Sequence, residues 1–296
     1  MRLISHFPLA IPSRRDLLSE VNMSYCFAVA SGKGGVGKST ITANLAAVLS
    51  HSGNRVVVVD ADIGLRSQDA LLGMENRIVY DLIDLSRGNC DPEQALLPSE
   101  IYPSLYLLPA AQFERAKALD SRKFARIIQL LLSSFDYVLI DCPAGIEKGL
   151  RNVLNAGTDH LKMILITTPD DISIRSAERT VQLIEAKKLA RPDLIVNRLD
   201  SGLIRSHEMM SAQTAAEVLD LHLLGEIPED PVVCRSVLRH SLFIGFDCEA
   251  RNAVLRIASR LQGKPVALPC YGSGKVPLFR RVFSVSLKEV IPIDDH

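Results

Sequence analysis

The stretch that decides the fold reads Gly32-Lys33-Gly34-Gly35-Val36-Gly37-Lys38-Ser39. An apolar run at residues 27–30 precedes it, and a helix-like run from Thr40 to His51 follows it. A strand, a glycine-rich loop and a helix in this order form the context in which a phosphate-binding loop occurs. The stretch therefore predicts a nucleotide-binding domain, against the alternative of a glycine-rich turn that holds no ligand.

The residue types of this loop suit a triphosphate. Glycines let several backbone N–H groups approach an anion without a Cβ clash. The helix that follows offers its free amides and the positive end of its dipole to the same anion. At these positions Lys38 would reach the β- and γ-phosphates, and the Ser39 hydroxyl would be a ligand of Mg²⁺.

Composition and charge narrow the class of protein. The 296 residues are 47% apolar and include 34 basic and 34 acidic side chains, so the whole chain has no basic excess that would attract nucleic acid. No segment of the sequence reaches the ~20 uninterrupted apolar residues of a membrane span. The six cysteines are scattered without a Cys-x-x-Cys pair, which argues against a zinc site or an iron–sulfur carrier and fits a reducing cytosol.

Short, apolar, β-branched runs alternate with helical patterns from residue 25 onward. The strand candidates are 25–30, 55–60, 104–109, 136–141, 162–167, 193–197 and 222–227. The helix candidates are 38–51, 121–134, 173–189, 211–220 and 249–262. Continuous apolar strands are typical of a sheet that is covered on both faces. The alternation predicts one α/β domain, residues 23–265, with a doubly wound, mostly parallel sheet and helices on both faces.

Three aspartates lie at or just beyond the carboxyl ends of predicted strands. Ligands bind at this edge of the sheet in this class of fold. Asp60 ends the second strand candidate and Asp141 ends the fourth. Because a carboxylate there is costly unless it faces a cation or a donor, both are candidates to hold Mg²⁺ through its waters. The alternative is that each caps the next helix. Asp62, two residues further along an extended strand, would lie on the same face as Asp60 and orient the attacking water.

A second lysine, Lys33, lies inside the phosphate-binding loop. Further distinctive stretches are 60–66, 79–82, 141–147 and 227–230. Together they resemble the MinD/ParA family of P-loop ATPases, whose Walker A loop is deviant, and in particular its MinD branch. The similarity runs from about residue 24 to 288, so it covers much more than one loop.

The resemblance implies a slow, Mg²⁺-dependent ATP hydrolase that forms a homodimer when ATP is bound. Lys33 would be the signature lysine, which crosses to the partner's phosphates and neutralises transition-state charge there. Asn197 and Pro228 match positions that contact adenine in the family, and an Asn amide can pair with a base edge. The nucleotide-binding residues expected in this way are Gly32, Lys33, Gly34, Gly35, Val36, Gly37, Lys38, Ser39, Thr40, Asn197 and Pro228.

The resemblance also implies partners. It predicts a division inhibitor similar to MinC, and an activating factor that is either MinE or linked to DivIVA. With such partners the protein would regulate where the division septum is placed. No specific nucleic acid is expected as a partner.

Both ends of the chain differ in pattern from its middle. Residues 1–22 precede Met23 and are expected to be a disordered extension or a misassigned start, with a regulatory arm as the alternative.

A flexible linker is predicted at 266–274 and a short tail at 289–296. Residues 275–288 between them place apolar and basic side chains on different sides of a helix, which predicts peripheral binding to anionic lipids on the cytoplasmic face of the cell membrane. The alternatives are an element that docks on the domain, or a frayed end.

Three other functions stay open from the sequence. A flagellar-number regulator of the same family is suggested by the N-terminal extension, although this contains no Asp-Gln-Ala activation motif. A ParA-like DNA-partition ATPase is disfavoured by the neutral charge and the amphipathic tail. A metabolic ligase on the same fold is disfavoured by Lys33 and by that tail.

Overall fold

A computed structural model of the chain describes residues 24–114, 118–146, 148–156 and 161–271. Its strands are β1 (Tyr25–Ser31), β2 (Val56–Asp60), β3 (Leu97–Pro98), β4 (Leu105–Leu108), β5 (Tyr137–Asp141), β6 (Leu161–Thr167), β7 (Asp193–Leu199) and β8 (Leu223–Pro228). They form one sheet in the order β3-β4-β2-β5-β1-β6-β7-β8. Every neighbouring pair is parallel except β3 with β4.

Helices cover both faces of this sheet. They are α1 (Lys38–His51), α2 (Gln68–Leu72), α3 (Leu82–Arg87), α4 (Pro92–Ala95), α5 (Ser121–Leu132), α6 (Lys148–Asn155), α7 (Asp171–Ala186), α8 (Ser201–Arg205), α9 (Ala212–Leu219), α10 (Pro231–Leu238) and α11 (Glu249–Leu261). α1 and α11 pack on one face with Phe27 and Val29 of β1, whereas α5 and α6 pack on the other face with Cys26 and Ala28. A strand such as β2, with the sequence Val-Val-Val-Val-Asp, is buried throughout because its alternate side chains enter different layers.

The predicted α/β fold with a doubly wound, mostly parallel sheet is confirmed. The seven predicted strands correspond to β1, β2 and β4 to β8, and the five predicted helices to α1, α5, α7, α9 and α11. The prediction missed β3, which has 2 residues, and the shorter helices, of which α6 and α10 have 8 residues each. The 2 residues of β3 are too few to show a period.

β1 lies at the position in the sheet from which the chain connections run in opposite directions. β5 and β2 lie on one side of β1, and β6, β7 and β8 lie on the other side. In open α/β sheets a ligand binds at such a switch point, outside the carboxyl ends of the strands. The glycine-rich loop at 32–37 leaves β1 at this point and leads into α1.

The last described segment of the chain packs along the outer strand of the sheet. The Tyr271 backbone N–H donates a hydrogen bond to Glu226 of β8 at 3.2 Å, and Arg256 of α11 donates one to the Tyr271 hydroxyl at 2.8 Å. The predicted membrane helix at 275–288 and the predicted extension at 1–22 lie outside the described residues, so the domain boundaries stay predictions. None of the helices that the structure describes is both long and apolar enough to cross a bilayer.

A pair of glycines tests how tightly α11 packs on the sheet. A Cβ added to Gly225 of β8 would lie 2.3 Å from Cγ1 of the buried Ile257, whereas one added to Gly245 would meet nothing within 4 Å. We expect Gly225→Ala to lower the free energy of unfolding by about 1–3 kcal/mol, since a tightly packed core resists an extra methyl group. Gly245→Ala is the control and should change it by less than ~1 kcal/mol. Denaturant unfolding measures both, and equal effects of the two substitutions would contradict this packing.

Candidate functional site

The glycines of the phosphate-binding loop have different roles in the structure. A Cβ on Gly34 would meet no atom within 4 Å, so the space beside its backbone is open to an anion. Gly35 has a φ of 81°, in the left-handed region that favours glycine. Gly32 and Gly37 are needed for packing. A Cβ on Gly32 would lie 2.3 Å from the backbone of Ser176 in α7, and one on Gly37 would lie 2.4 Å from Nδ2 of Asn197.

Lys38 begins α1 and forms a buried ion pair. Its Nζ lies 2.6 Å from Oδ1 of Asp141 and 3.1 Å from the hydroxyl oxygen of Ser39. The lysine side chain is 6% exposed and the aspartate is fully buried. Burial by itself lowers the pKa of Lys38, but the charge of Asp141 and its hydrogen bond outweigh burial and raise that pKa above its ordinary value. A phosphate that enters the loop would therefore meet a lysine that is already charged.

Asp60 lies beside Asp141 because β2 and β5 are parallel neighbours in matching register. It is fully buried, and its carboxylate accepts hydrogen bonds of 3.0 Å each from the backbone N–H groups of Asp62, Ser67 and Gln68. Burial and the nearby charge of Asp141 raise the pKa of Asp60 to about 7, although these hydrogen bonds act in the opposite direction. A divalent cation would relieve the repulsion between these two buried carboxylates.

Asp62 was predicted to lie on the same face as Asp60 because both would belong to one extended strand, and this reason was wrong. β2 ends at Asp60, and Asp62 begins a turn in which its backbone carbonyl accepts hydrogen bonds from the N–H groups of Leu65 and Arg66 at 3.1 Å each. Asp62 therefore does not continue the alternation of a strand. Burial raises the pKa of its half-buried carboxyl above the ordinary value, and the charge of Lys38, which lies within electrostatic reach, offsets only part of this shift. The water-orienting role of Asp62 stays a prediction.

Lys33 lies at the open rim of the loop and pairs with its own chain. Its Nζ is 3.6 Å from Oδ1 of Asp170, and the two side chains are 39% and 48% exposed. Asp170 caps α7 by accepting a hydrogen bond from the backbone N–H of Ser173 at 2.9 Å. Burial raises the pKa of Asp170, but hydrogen bonds from Ser173 and Thr168, together with the charge of Lys33, bring it down to about 2. The predicted contact of Lys33 with a partner's phosphates stays a prediction.

The two predicted adenine contacts lie on the neighbouring strands β7 and β8. Asn197 lies within β7, which extends to Leu199, so it does not end that strand as predicted; its Nδ2 donates a hydrogen bond of 2.8 Å to the carbonyl of Val36. Pro228 is the last residue of β8 and lies in register with Leu199. Asn197 thus ties the phosphate-binding loop to the sheet. Contact of either residue with a base stays a prediction.

Gln68, which the sequence analysis missed, belongs to the same site. It is the first residue of α2 and is fully buried. Its Nε2 donates hydrogen bonds to Oδ2 of Asp141 at 2.7 Å and to the backbone carbonyl of Ser39 at 3.1 Å. A glutamine in so short a helix gives no sequence signal of burial. Asp170 was also missed, although an aspartate directly before an amphipathic helix is a recognised capping signal.

The donor set of this site fits Mg²⁺ and phosphate. Ser39, Asp60 and Asp141 offer the hydroxyl and carboxylate oxygens that this cation prefers, and Lys38 lies beside them as a charged donor for phosphate. Oε1 of Gln68 is buried and has no hydrogen-bond partner among the described residues. A buried acceptor of this kind fits a site that takes a hydrated cation.

Comparisons with known proteins show the family to which this chain belongs. A family model described as ParA: NUBPL iron-transfer P-loop NTPase matches residues 22–261. The septum site-determining protein MinD of Helicobacter pylori is 42% identical to this chain over 252 residues, which are 82% of this chain and 92% of that protein. The chain belongs to the MinD branch of the ParA family of P-loop NTPases. Membership of this family implies ATPase activity with nucleotide and Mg²⁺.

Solved MinD structures show the same fold. The MinC:MinD cell division protein complex of Aquifex aeolicus aligns with a TM-score of 0.76 at 34% identity, covering 84% of this chain and 99% of that one. The septum site-determining protein MinD of Pyrococcus horikoshii, complexed with Mg-ADP, aligns with a TM-score of 0.72 at 29% identity, covering 81% of this chain and 96% of that one. Septum-site determination is therefore the function of the family to which this chain belongs.

The raised pKa of Asp60 gives a test of the metal site. With a pKa of about 7, its carboxyl is about half protonated at pH 7, and Mg²⁺ favours the ionised form. We expect binding of preformed Mg-ADP to release up to about half a proton at pH 7 and close to none at pH 9. Calorimetry in two buffers of different ionisation enthalpy measures the release. The same titration at pH 9 is the control, and a release that does not fall between pH 7 and pH 9 would contradict the site.

Proposed function

We propose that this chain is a MinD-type ATPase that regulates the placement of the division septum. In this proposal it dimerises with ATP and Mg²⁺, binds the cytoplasmic face of the cell membrane through residues 275–288, and recruits a division inhibitor. One observation carries the proposal: a closed phosphate and metal site around Lys38 is combined with a second lysine, Lys33, at its open rim. Lys33 at this rim is accessible to a facing subunit, whose phosphate charge a second cation would neutralise.

The chemistry at the reacting centre follows from the positions of the side chains. Lys38 would leave Asp141 for the β- and γ-phosphates when nucleotide binds, because several phosphate oxygens offer more acceptors than one carboxylate. Asp60, Asp141 and Ser39 would hold Mg²⁺, which neutralises charge on the phosphate oxygens when it is bound. Asp62 would orient the water that attacks the γ-phosphorus, and a positioned carboxylate suffices for that role because phosphoryl transfer depends mainly on placement and charge.

Dimerisation would be the step that completes the site. The Lys33–Asp170 pair is about half exposed, and an ion pair of this kind contributes only about 0–1 kcal/mol. A triphosphate in the facing subunit, with its larger charge, can therefore compete for Lys33. Transfer of Lys33 from its own Asp170 to the partner's phosphates would make turnover depend on the dimer.

Membrane binding would follow from the same dimer. Hydrogen bonds to Glu226 and Arg256 hold Tyr271, the last described residue, against the domain. One amphipathic helix at 275–288 should bind weakly, since its burial in the interface is partial and helix formation opposes it. Two such helices on one dimer act together through effective concentration. Nucleotide would in this way control residence on anionic lipid.

Two kinds of partner complete the proposal. A division inhibitor similar to MinC would bind the ATP-bound dimer, and the MinC:MinD complex of Aquifex aeolicus supports that class of partner. An activating factor, MinE or one linked to DivIVA, would stimulate hydrolysis or fix its position in the cell. Hydrolysis would then separate the subunits and release the protein from the membrane.

Alanine substitutions of the two lysines test the proposed division of labour. Lys38→Ala should abolish ordered nucleotide binding, because it removes the cation inside the loop. Lys33→Ala should keep nucleotide affinity but lose vesicle-stimulated ATP turnover by well over tenfold, since a cation supplied in trans is worth roughly 10³–10⁵ in related phosphoryl transfers. The exposed Lys187, beyond the end of α7, gives the control Lys187→Ala. ATPase rates with and without anionic vesicles measure the effects, and full turnover from both loop variants would refute the mechanism.

Removal of residues 272–296 tests the membrane step. In sedimentation with anionic liposomes, the full chain should bind in the presence of a non-hydrolysable ATP analogue and much less with ADP, whereas the truncated chain should bind with neither. Nucleotide binding by the truncated chain should be unchanged, which controls for its fold. Raised salt should weaken binding of the full chain, because basic residues of the tail contact anionic head groups. Equal liposome binding by both chains would rule out the tail as the anchor.

A further inference from the structure

Three consecutive residues at the start of α2 carry buried polar atoms that lack protein partners. These atoms are the Ser67 hydroxyl oxygen, Oε1 of Gln68 and Oδ1 of Asp69, none of which has a hydrogen-bond partner among the described residues. Gln68 is fully buried and Asp69 is 3% exposed. A buried polar atom without a partner costs about 1–3 kcal/mol, so native proteins rarely place such atoms side by side unless something else binds them.

The orientation of the Gln68 amide is fixed by its surroundings. Its nitrogen, Nε2, donates to two acceptors, Oδ2 of Asp141 and the carbonyl of Ser39. A flipped amide would place its oxygen against both acceptors and lose two hydrogen bonds. Oε1 is therefore the acceptor of this amide that is left without a partner among the described residues.

Gln68 contacts each of the three residues that the proposed Mg²⁺ site uses. Its backbone N–H donates to Oδ2 of Asp60, its side chain donates to Asp141, and its second side-chain bond holds the backbone of Ser39. Asp141 is thus held from two sides, by Lys38 at 2.6 Å and by Gln68 at 2.7 Å. When Lys38 turns to phosphate, Gln68 is the partner that keeps the carboxylate in place.

We propose that Gln68 is a positioning residue of the magnesium site. Its Nε2 fixes the orientation of Asp141, and its Oε1 accepts a hydrogen bond from a water molecule of the Mg²⁺ hydration shell. Mg²⁺ keeps several of its waters in protein sites, and each of these waters needs acceptors for its hydrogens. This inference rests on the Mg²⁺–nucleotide site of the proposed function and assigns to it a side chain that does not touch the metal.

Substitution of Gln68 by methionine separates this role from simple filling of space. Methionine has a similar unbranched shape and no amide, so Gln68→Met removes both hydrogen-bonding functions. We expect the gain in ADP affinity that Mg²⁺ provides to fall by about 10–100-fold, the usual effect of losing an outer-shell partner. The affinity for ADP in a chelator should change little. Titrations of a fluorescent ADP analogue, with Mg²⁺ varied and with chelator, measure both quantities, and Gln129→Met on the exposed side of α5 is the control.

The outcomes of these titrations are distinguishable. Equal loss of ADP affinity with and without Mg²⁺ would show that Gln68 only supports the fold and would overturn the inference. An unchanged dependence on Mg²⁺ would overturn it as well. If the unaltered protein itself binds ADP without any effect of Mg²⁺, the proposed metal site fails together with the inference.

A second measurement uses the unaltered protein and does not depend on the folding of a variant. In a high-resolution crystal structure with Mg-ADP, we expect Oε1 of Gln68 to lie within hydrogen-bond distance, about 2.5–3.2 Å, of a water bound to the metal. A bound metal with Oε1 directed to any other group would overturn the inference. Waters on the metal that bond only to Asp60 and Asp141 would also overturn it.

Discussion

The buried ion pair between Lys38 and Asp141 is the interaction on which the rest of the site depends. Lys38 and Asp141 are removed from water 2.6 Å apart, and the burial of each charge is costly without the other. Asp60 shows that the balance is incomplete, because its pKa is raised to about 7 even with three backbone donors. The site holds more negative charge than Lys38 neutralises, and it is therefore prepared for a cation.

The fold supplies this arrangement through the order of its strands. β5 lies between β1 and β2, so that the phosphate-binding loop and both aspartates emerge at one edge of the sheet. α1 then carries Lys38 and Ser39 across the ends of these strands. The apolar strands are rigid because both of their faces are packed. Short loops on such a rigid sheet can hold polar atoms in the precise positions that metal and phosphate binding require.

The sequence predicted site residues best where they interrupt the apolar pattern of a strand or form a local motif. The loop at 32–39 and the aspartates at the ends of β2 and β5 were all visible, because each interrupts an apolar pattern. The face of Asp62 was misjudged because the chain turns directly after Asp60 to place backbone donors around that carboxylate. Gln68 could not be recognised at all. Its role is set by a hydrogen bond to Asp141, 73 positions away, and no local pattern encodes a contact of that range.

The close approach of Gly32 to α7 has a mechanical consequence. The backbone of the loop and that of the helix at Ser176 leave no room even for a methyl group between them, so neither can move closer to the other. The same helix begins at the aspartate that holds Lys33. The phosphate-binding loop and the ion pair of Lys33 are therefore both in contact with one helix, and a substitution that displaces α7 would disturb both of them.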